Sequence, residues 1–263
     1  MPENQGLTIV VTRPVAQAEN LCQKLQQQGK TVIRFPVLEI QAPDKPETLT
    51  ATLGQLEKYN LAIFVSANAV DWGMKQLSLQ ASGRQWPASL CIAAIGQATA
   101  TAVLNHGLKL GLQAPSPYNS ESLLALPALQ KMSGQRVLIF RGEGGREHLA
   151  ETLRNRGAIV EYAECYRRSV PVSDVTPLLQ AWKEKRQLLF VLTSNEGLQN
   201  LYHMLGEDGR KKLLASPIVV VSERAIHKAK ELGFTQKPLL ASAASDDAIV
   251  QAVNTWSEQE LQL

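Results

Sequence analysis

Two stretches decide how this chain is read: IVVTRPVAQAENLCQKLQQQGKTVIRFPVL (9–38) and VLIFRGEGGREHLAETLRNRGAIVEYAECY (137–166). Slid forward by 128 positions, the first falls on the second without a gap. Arg13 meets Arg141, Glu19 meets Glu147, Leu21 meets Leu149, Leu25 meets Leu153, Gly29 meets Gly157 and Val32 meets Val160. The match continues with small slips. LAIFVSAN (61–68) meets LLFVLTSN (188–195) at 127, which pairs Asn68 with Asn195. Ile92 to Gly107 meets Ile218 to Gly233 at 126, and Ser120-Glu121-Ser122 meets Ser245-Asp246-Asp247 at 125. Matches in the same order with so little drift indicate an internal duplication, and a missed repeat would misread the fold.

Each copy alternates short apolar runs with amphipathic stretches. LTIVVT, TVIRFPVLEI, LAIFVS and LCIAAI read as strands, with VLIF, IVEYAECY, LLFVLT and IVVVS as their counterparts. In AENLCQKLQQQG, Leu21 and Leu25 share a helix face and Gly29 is a stop; HLAETLRNRG repeats the design with Leu149, Leu153 and Gly157. Strands alternating with helices imply an α/β fold with parallel sheets covered by helices. In such sheets ligands gather beyond the carboxyl ends of the strands.

Six of those ends carry small hydroxyl, amide or guanidinium groups: Thr12-Arg13, Ser66-Ala67-Asn68, Gly96 to Thr99, Arg141-Gly142, Thr193-Ser194-Asn195 and Ser222-Glu223-Arg224. Helix N-termini offer unpaired N–H groups and a positive dipole end, so the pattern favours an anion. Taken singly, each Ser, Thr or Asn is as well explained as a helix cap. RGEGGRE (141–147) is the sharpest local signal: its glycines let backbone approach a ligand, and Arg141 and Arg146 each present a fork for a carboxylate. It lacks the Lys-Ser/Thr of a Walker loop and the third glycine of a dinucleotide fingerprint. Tyr166 ends a strand where the first copy has Leu38, and on pattern alone reads as an edge-strand aromatic rather than a working residue.

Composition narrows the class. Apolar residues at 44% and charged residues at 19% describe a globular chain. The net charge of +3, from 27 basic and 24 acidic side chains, comes without the clustered basic face of a nucleic-acid binder. No stretch approaches a membrane span and the N-terminus lacks a signal-peptide pattern. Cys22, Cys91 and Cys165 are scattered without CxxC spacing, and the four histidines form no ligand pair. These features lead us to expect a cytoplasmic protein without a metal site, membrane anchor or nucleic-acid partner.

Together IVVTRP (9–14), the SAN turn at 66–68, AIGQATA (94–100), SESLL (120–124), the RGEGGRE loop with its helix, ECYRR (164–168), LTSN (192–195) and VVSERAI (220–226) resemble uroporphyrinogen-III synthase along nearly the whole chain. The resemblance implies two similar flavodoxin-like parallel-sheet lobes joined by a two-strand β ladder, one lobe being discontinuous. Residues 1–36 would rejoin 171–263, 42–162 would form the second lobe, and 37–41 and 163–170 would connect them. It implies closure of hydroxymethylbilane, a linear tetrapyrrole with eight carboxylates, into uroporphyrinogen III with inversion of ring D and loss of water. No cofactor would be needed, and a monomer is expected. Tyr166 matches the family's candidate proton donor to the departing hydroxyl. Arg13, Ser66, Asn68, Thr99, Arg141, Gly142, Arg146, Thr193, Ser194 and Ser222 would hold substrate. Where the first copy has Thr99 in GQATA, the second reads Ser222-Glu223-Arg224-Ala225, without a threonine. A non-catalytic tetrapyrrole- or anion-sensing module of the same fold is the alternative; a nucleotide- or sugar-phosphate enzyme lacks its fingerprint.

Overall fold

The computed structural model describes residues 6–79, 85–145 and 147–260. The first copy runs β1 (Leu7–Val11), α1 (Val15–Gln27), β2 (Thr31–Arg34), β3 (Glu39–Gln41), α2 (Pro46–Leu53), β4 (Leu61–Phe64), α3 (Ala67–Ser78), β5 (Cys91–Ala94), α4 (Gln97–Asn105), β6 (Leu112–Gln113) and α5 (Ser120–Leu124). The second runs β7 (Arg136–Gly142), α6 (His148–Asn155), β8 (Ile159–Ser169), α7 (Thr176–Lys183), β9 (Gln187–Leu192), α8 (Asn195–Met204), α9 (Gly206–Leu214), β10 (Ile218–Val220), α10 (Glu223–Leu232), β11 (Leu239–Leu240) and α11 (Asp246–Glu260).

The copies exchange strands. One sheet has the order β11-β10-β9-β1-β2 and the other β6-β5-β4-β7-β8, with β3 added beyond β8. Each sheet takes its first two strands from one copy and the next three from the other. The shared order, 2-1-3-4-5 by role, is that of a doubly wound flavodoxin-like sheet. All the core pairings are parallel. Contacts divide the chain into residues 1–39 with 169–263, and residues 40–168. The chain passes between these units at the start of β3 and the end of β8, neighbouring strands at one sheet edge.

Strand register corrects two of the offsets. Ile9 stands opposite Val32 and Leu189, and Val137 opposite Val160 and Leu61. Leu61 is therefore the counterpart of Leu189, a shift of 128 rather than 127, and Ser66 matches Ser194. The helix caps agree: Asn119 accepts from the N–H of Ser122 and Ser245 from that of Ala248, so Asn119 matches Ser245 and Ser120 matches Asp246. Matching the paired asparagines and serines by identity had shifted both turns by one residue.

TVIRFPVLEI is also not one strand. Phe35 and Val37 donate their N–H groups to Val11 and Thr12, so hydrogen bonding to β1 continues past β2. Pro36 falls between those two donors, on the outward side of an edge strand, the place a sheet tolerates a residue without an N–H. The chain then resumes as β3. IVEYAECYRRS, with no proline, stays continuous as β8.

Both helices that follow the first strand of a copy end alike. Gly29 (φ +75°) and Gly157 (φ +90°) take the left-handed conformation, and Lys30 and Ala158 donate back to Leu25 and Leu153, closing the helix end. Each sheet is buried on both faces, which is why its strands read as continuous apolar runs. In residues 40–168, Phe64 and Phe140 on one face sit with ring centroids 4.3 Å apart; Ile63 and Ile139 pack on the other. In the other unit Val10 and Phe190 face one helical layer, and Ile9, Val11 and Leu189 the opposite one. Emptying either core should cost heavily. Phe190→Ala is expected to lower stability by about 3–5 kcal/mol, read from the urea midpoint.

Candidate active site

At the strand ends, three serines act first as helix caps. Ser66 Oγ accepts from the N–H of Ala69 at 3.1 Å, Ser194 Oγ from Gly197 at 2.9 Å and Ser222 Oγ from Ala225 at 3.3 Å. They position α3, α8 and α10. Thr99 is buried in the first turn of α4, whose cap is Gly96. Asn68 is half-buried in the first turn of α3, and Thr193 half-buried just before its capping serine. Thr12, at the end of β1, gives its hydroxyl to Val191 O at 2.7 Å. Arg13, Thr193, Ser194 and Ser222 belong to the unit of residues 1–39 and 169–263; Ser66, Asn68, Thr99, Arg141, Gly142 and Tyr166 belong to residues 40–168. Arg146 lies outside the described residues.

The arginines at the two equivalent strand ends are both engaged by carboxylates. Arg13 pairs through Nη1 with Asp246 and gives Nη2 to Ala244 O at 3.0 Å; Asp246 also accepts from Asn20 at 2.5 Å. Arg141, only 5% exposed, gives Nη1 to Glu147 at 2.9 Å and Nε to Gly142 O at 3.2 Å. Its guanidinium lies over the Tyr162 ring, 4.6 Å from the centroid, and the Tyr162 hydroxyl donates to Glu147. That hydroxyl, and then Arg141, hold the Glu147 carboxyl below the ordinary glutamate value; burial and then Glu147 raise the Tyr162 phenol.

Tyr166 owes its place to a break in β8. Register with β7 jumps from Arg141 opposite Glu164 to Gly142 opposite Tyr166, so Cys165 is an extra residue and both it and Tyr166 turn inward. Such a bulge re-aims a side chain. The Tyr166 ring lies across Gly142 so closely that a β-carbon there would stand 2.7 Å from Cε2 and 2.8 Å from Cζ. Its hydroxyl is 3.1 Å from Ser66 Oγ and 3.5 Å from Arg168 Nη2. Cys165 packs in the core, where burial pushes its thiol up to about 12. It is therefore a protonated packing group at neutral pH.

These residues line a pocket of about 300 Å³ within residues 40–168, with Ser66, Ser120, Arg141, Gly142, Tyr166 and Arg168 on its walls. The sequence had singled out four of the six. Ser120 and Arg168 were missed, as were the carboxylates Glu147 and Asp246. The only signal for Arg168 was its place two residues after Tyr166, and Ser120 entered only through the repeat and the SESLL motif. Thr99 and Asn68 share the unit but do not line this pocket.

A doubly wound pair of parallel sheets, one bearing a pocket with a phenol, a hydroxyl and a buried guanidinium at its strand ends, suits a small molecule that carries acid groups. A family model described as uroporphyrinogen-III synthase HemD matches residues 19–251. The chain is similar to uroporphyrinogen-III synthases of Salmonella typhimurium (38% identical over 94% of this chain and 100% of that one) and Escherichia coli (35%, with the same coverage). Among solved structures, the fold is similar to uroporphyrinogen III synthase of Thermus thermophilus (TM-score 0.64, 18% identity, 98% and 100% coverage). It also resembles the synthetase of Helicobacter pylori (TM-score 0.58, 15% identity, 95% and 99% coverage). The chain belongs to the uroporphyrinogen-III synthase family.

Two tests address this site. Gly142→Ala should destabilise the protein by about 1–3 kcal/mol through the clash with Tyr166. The same substitution should cost much less in a Tyr166→Ala background, a non-additivity read from thermal denaturation. Glu147 is held below its ordinary value, so its contribution is complete above about pH 4.5 and lost as pH falls through the lowered value. In acid, the wild type should therefore lose stability relative to Glu147→Gln, measured by urea titration from pH 6 down to about pH 3.

Proposed function

We propose that this chain closes hydroxymethylbilane into uroporphyrinogen III, inverting ring D and releasing water. The observation that carries the reading is family membership across residues 19–251, joined to a tyrosine that lines a pocket beside a serine hydroxyl and two arginines. Full coverage of relatives named as synthases also favours an enzyme over a non-catalytic sensing module of the same fold. A cytoplasmic location is supported by the free, exposed thiol of Cys91.

The chemistry asks little of covalent catalysis. A pyrrole nitrogen lone pair is able to expel the hydroxyl of the hydroxymethyl group once that oxygen receives a proton. The electron-deficient methylene that remains is attacked by a carbon of ring D. Attack at the carbon already bearing the bridge gives a spiro intermediate. Its original bridge bond then breaks to leave a second electron-deficient methylene, and the free carbon of ring D attacks that methylene to close the ring with ring D inverted. Direct attack at the free carbon instead gives the type I ring. The protein's task is to fold the substrate so that the first attack wins, which is catalysis by positioning.

Tyr166 is the proton donor in this reading. Ser66 Oγ already accepts the Ala69 N–H, and its own proton is free to go to Tyr166 Oη. That leaves the phenolic proton available to the leaving oxygen. The guanidinium of Arg168, 3.5 Å from Oη, faces the same atom. The proton is regained when ring closure rearomatises the attacking pyrrole, so the sum is one water lost.

Purified protein added to freshly made hydroxymethylbilane should give the type III isomer, separated from type I after oxidation to the porphyrins. Type I product alone, at the rate of a buffer blank, would overturn the reading. Tyr166→Phe should lower kcat by about 10- to 100-fold, the lower range for a general acid because the leaving group is already labile, with KM little altered. Wild-type turnover in that variant would leave positioning as the whole mechanism.

A further inference from the structure

The duplication allows one unit to be read against the other at the same strand end. Arg13 and Arg141 are counterparts, fixed by the register of Ile9 with Val32 and of Val137 with Val160. Beside Arg13 stands Asp246, the first residue of α11, whose carboxylate takes both the guanidinium and the Asn20 amide. The counterpart of Asp246 is Ser120, since the caps that precede them, Ser245 and Asn119, are equivalent. Ser120 brings no charge. Between it and Arg141 lies the pocket of about 300 Å³ that both residues line.

The glycine loop keeps that space open. In the first copy the helix starts at Val15, directly after Arg13 and Pro14; in the second, α6 starts only at His148. Gly144 (φ +68°) and Gly145 (φ +111°) themselves take left-handed backbone that an α-helix does not contain. A β-carbon on Gly145 would press to 3.0 Å from Arg141 Nη2. Arg141 spends Nη1 on Glu147 and Nε on Gly142 O, and among the described residues Nη2 makes no hydrogen bond. A guanidinium carries five N–H donors and can serve two carboxylates at once.

We propose that a substrate carboxylate binds between Arg141 and Ser120, in the place that Asp246 occupies beside Arg13. The inference rests on the octacarboxylate substrate proposed above and assigns one of its acid groups to a site. Beside Arg13 this position supplies a carboxylate of the protein; beside Arg141 it supplies a hydroxyl, and the ligand supplies the charge next to the one that Glu147 already gives.

Ser120→Asp installs in residues 40–168 the arrangement of the other unit and tests this directly. The new carboxylate should occupy the subsite and raise KM by about 10- to 100-fold, the ratio for one lost charge-assisted hydrogen bond. The loss should fall on KM rather than kcat, and the melting temperature should not drop, because the new charge meets a waiting partner. Ser120→Asn, of equal bulk and no charge, should raise KM far less. Equal KM values for the two variants, or a wild-type KM in Ser120→Asp, would overturn the proposal. If Ser120→Asp does not fold, Ser120→Glu beside Ser120→Gln makes the same comparison. A wild-type protein that yields only type I product would fail the proposed function instead, so the two failures are distinguishable.

Discussion

The pairing of β1 with β9, and of β7 with β4, is the constraint on which the rest of the molecule depends. Each is the central contact of its sheet, and each joins a strand of one copy to a strand of the other. Neither copy therefore forms a sheet from its own strands alone. The exchange places Arg13 beside the loops that begin at Ser194 and Ser222, and Arg141 beside those that begin at Ser66 and Gly96. Every candidate site is consequently a composite of two copies, and a loop's sequence neighbours are poor guides to its neighbours in space.

Within that shared scaffold the two units have diverged where chemistry is concentrated. Tyr166 stands at the position of Leu38, and glycines replace the first turn of a helix. A serine faces one arginine where an aspartate faces the other. A buried guanidinium without a partner is costly, so each arginine has at least one carboxylate: Asp246 from a distant helix in one unit, Glu147 from the adjoining loop in the other. Both are built-in electrostatic supports. The second, through Arg141, also lines a cavity.

Much of this was legible in the sequence because parallel strands buried on both faces leave apolar runs that stand out, and because Gly29 and Gly157 mark helix ends whose left-handed turn other residues enter at a cost. The family and the exchanged lobes came from motifs spread over the whole length, not from periodicity. What pattern could not supply was anything fixed by register. One-residue errors at Asn68 and Ser120 arose because small polar residues match equally well on either side of a cap. The role of Asp246 depends on which loops the sheet brings together, and the inward turn of Tyr166, which sets its hydroxyl near Arg168, depends on a bulge at Cys165. Such local irregularities carry no signal in hydrophobic pattern.

The exchange also has a consequence for how the chain is made. Residues 40–168 are contiguous and include β4, β5, β6, β7 and nearly all of β8, so this unit has its full complement of strands once about two thirds of the chain has left the ribosome. The other unit does not. β1 emerges first but pairs with β9, with Ile9 opposite Leu189, and its sheet is completed only by β11 at Leu239–Leu240. Because loop closure must be met before such distant contacts contribute, pairings of this span form slowly. Leu7–Val11 pairs early with β2 but waits for β9 to cover its other edge, and that edge is the segment whose exposure during synthesis invites association with other chains.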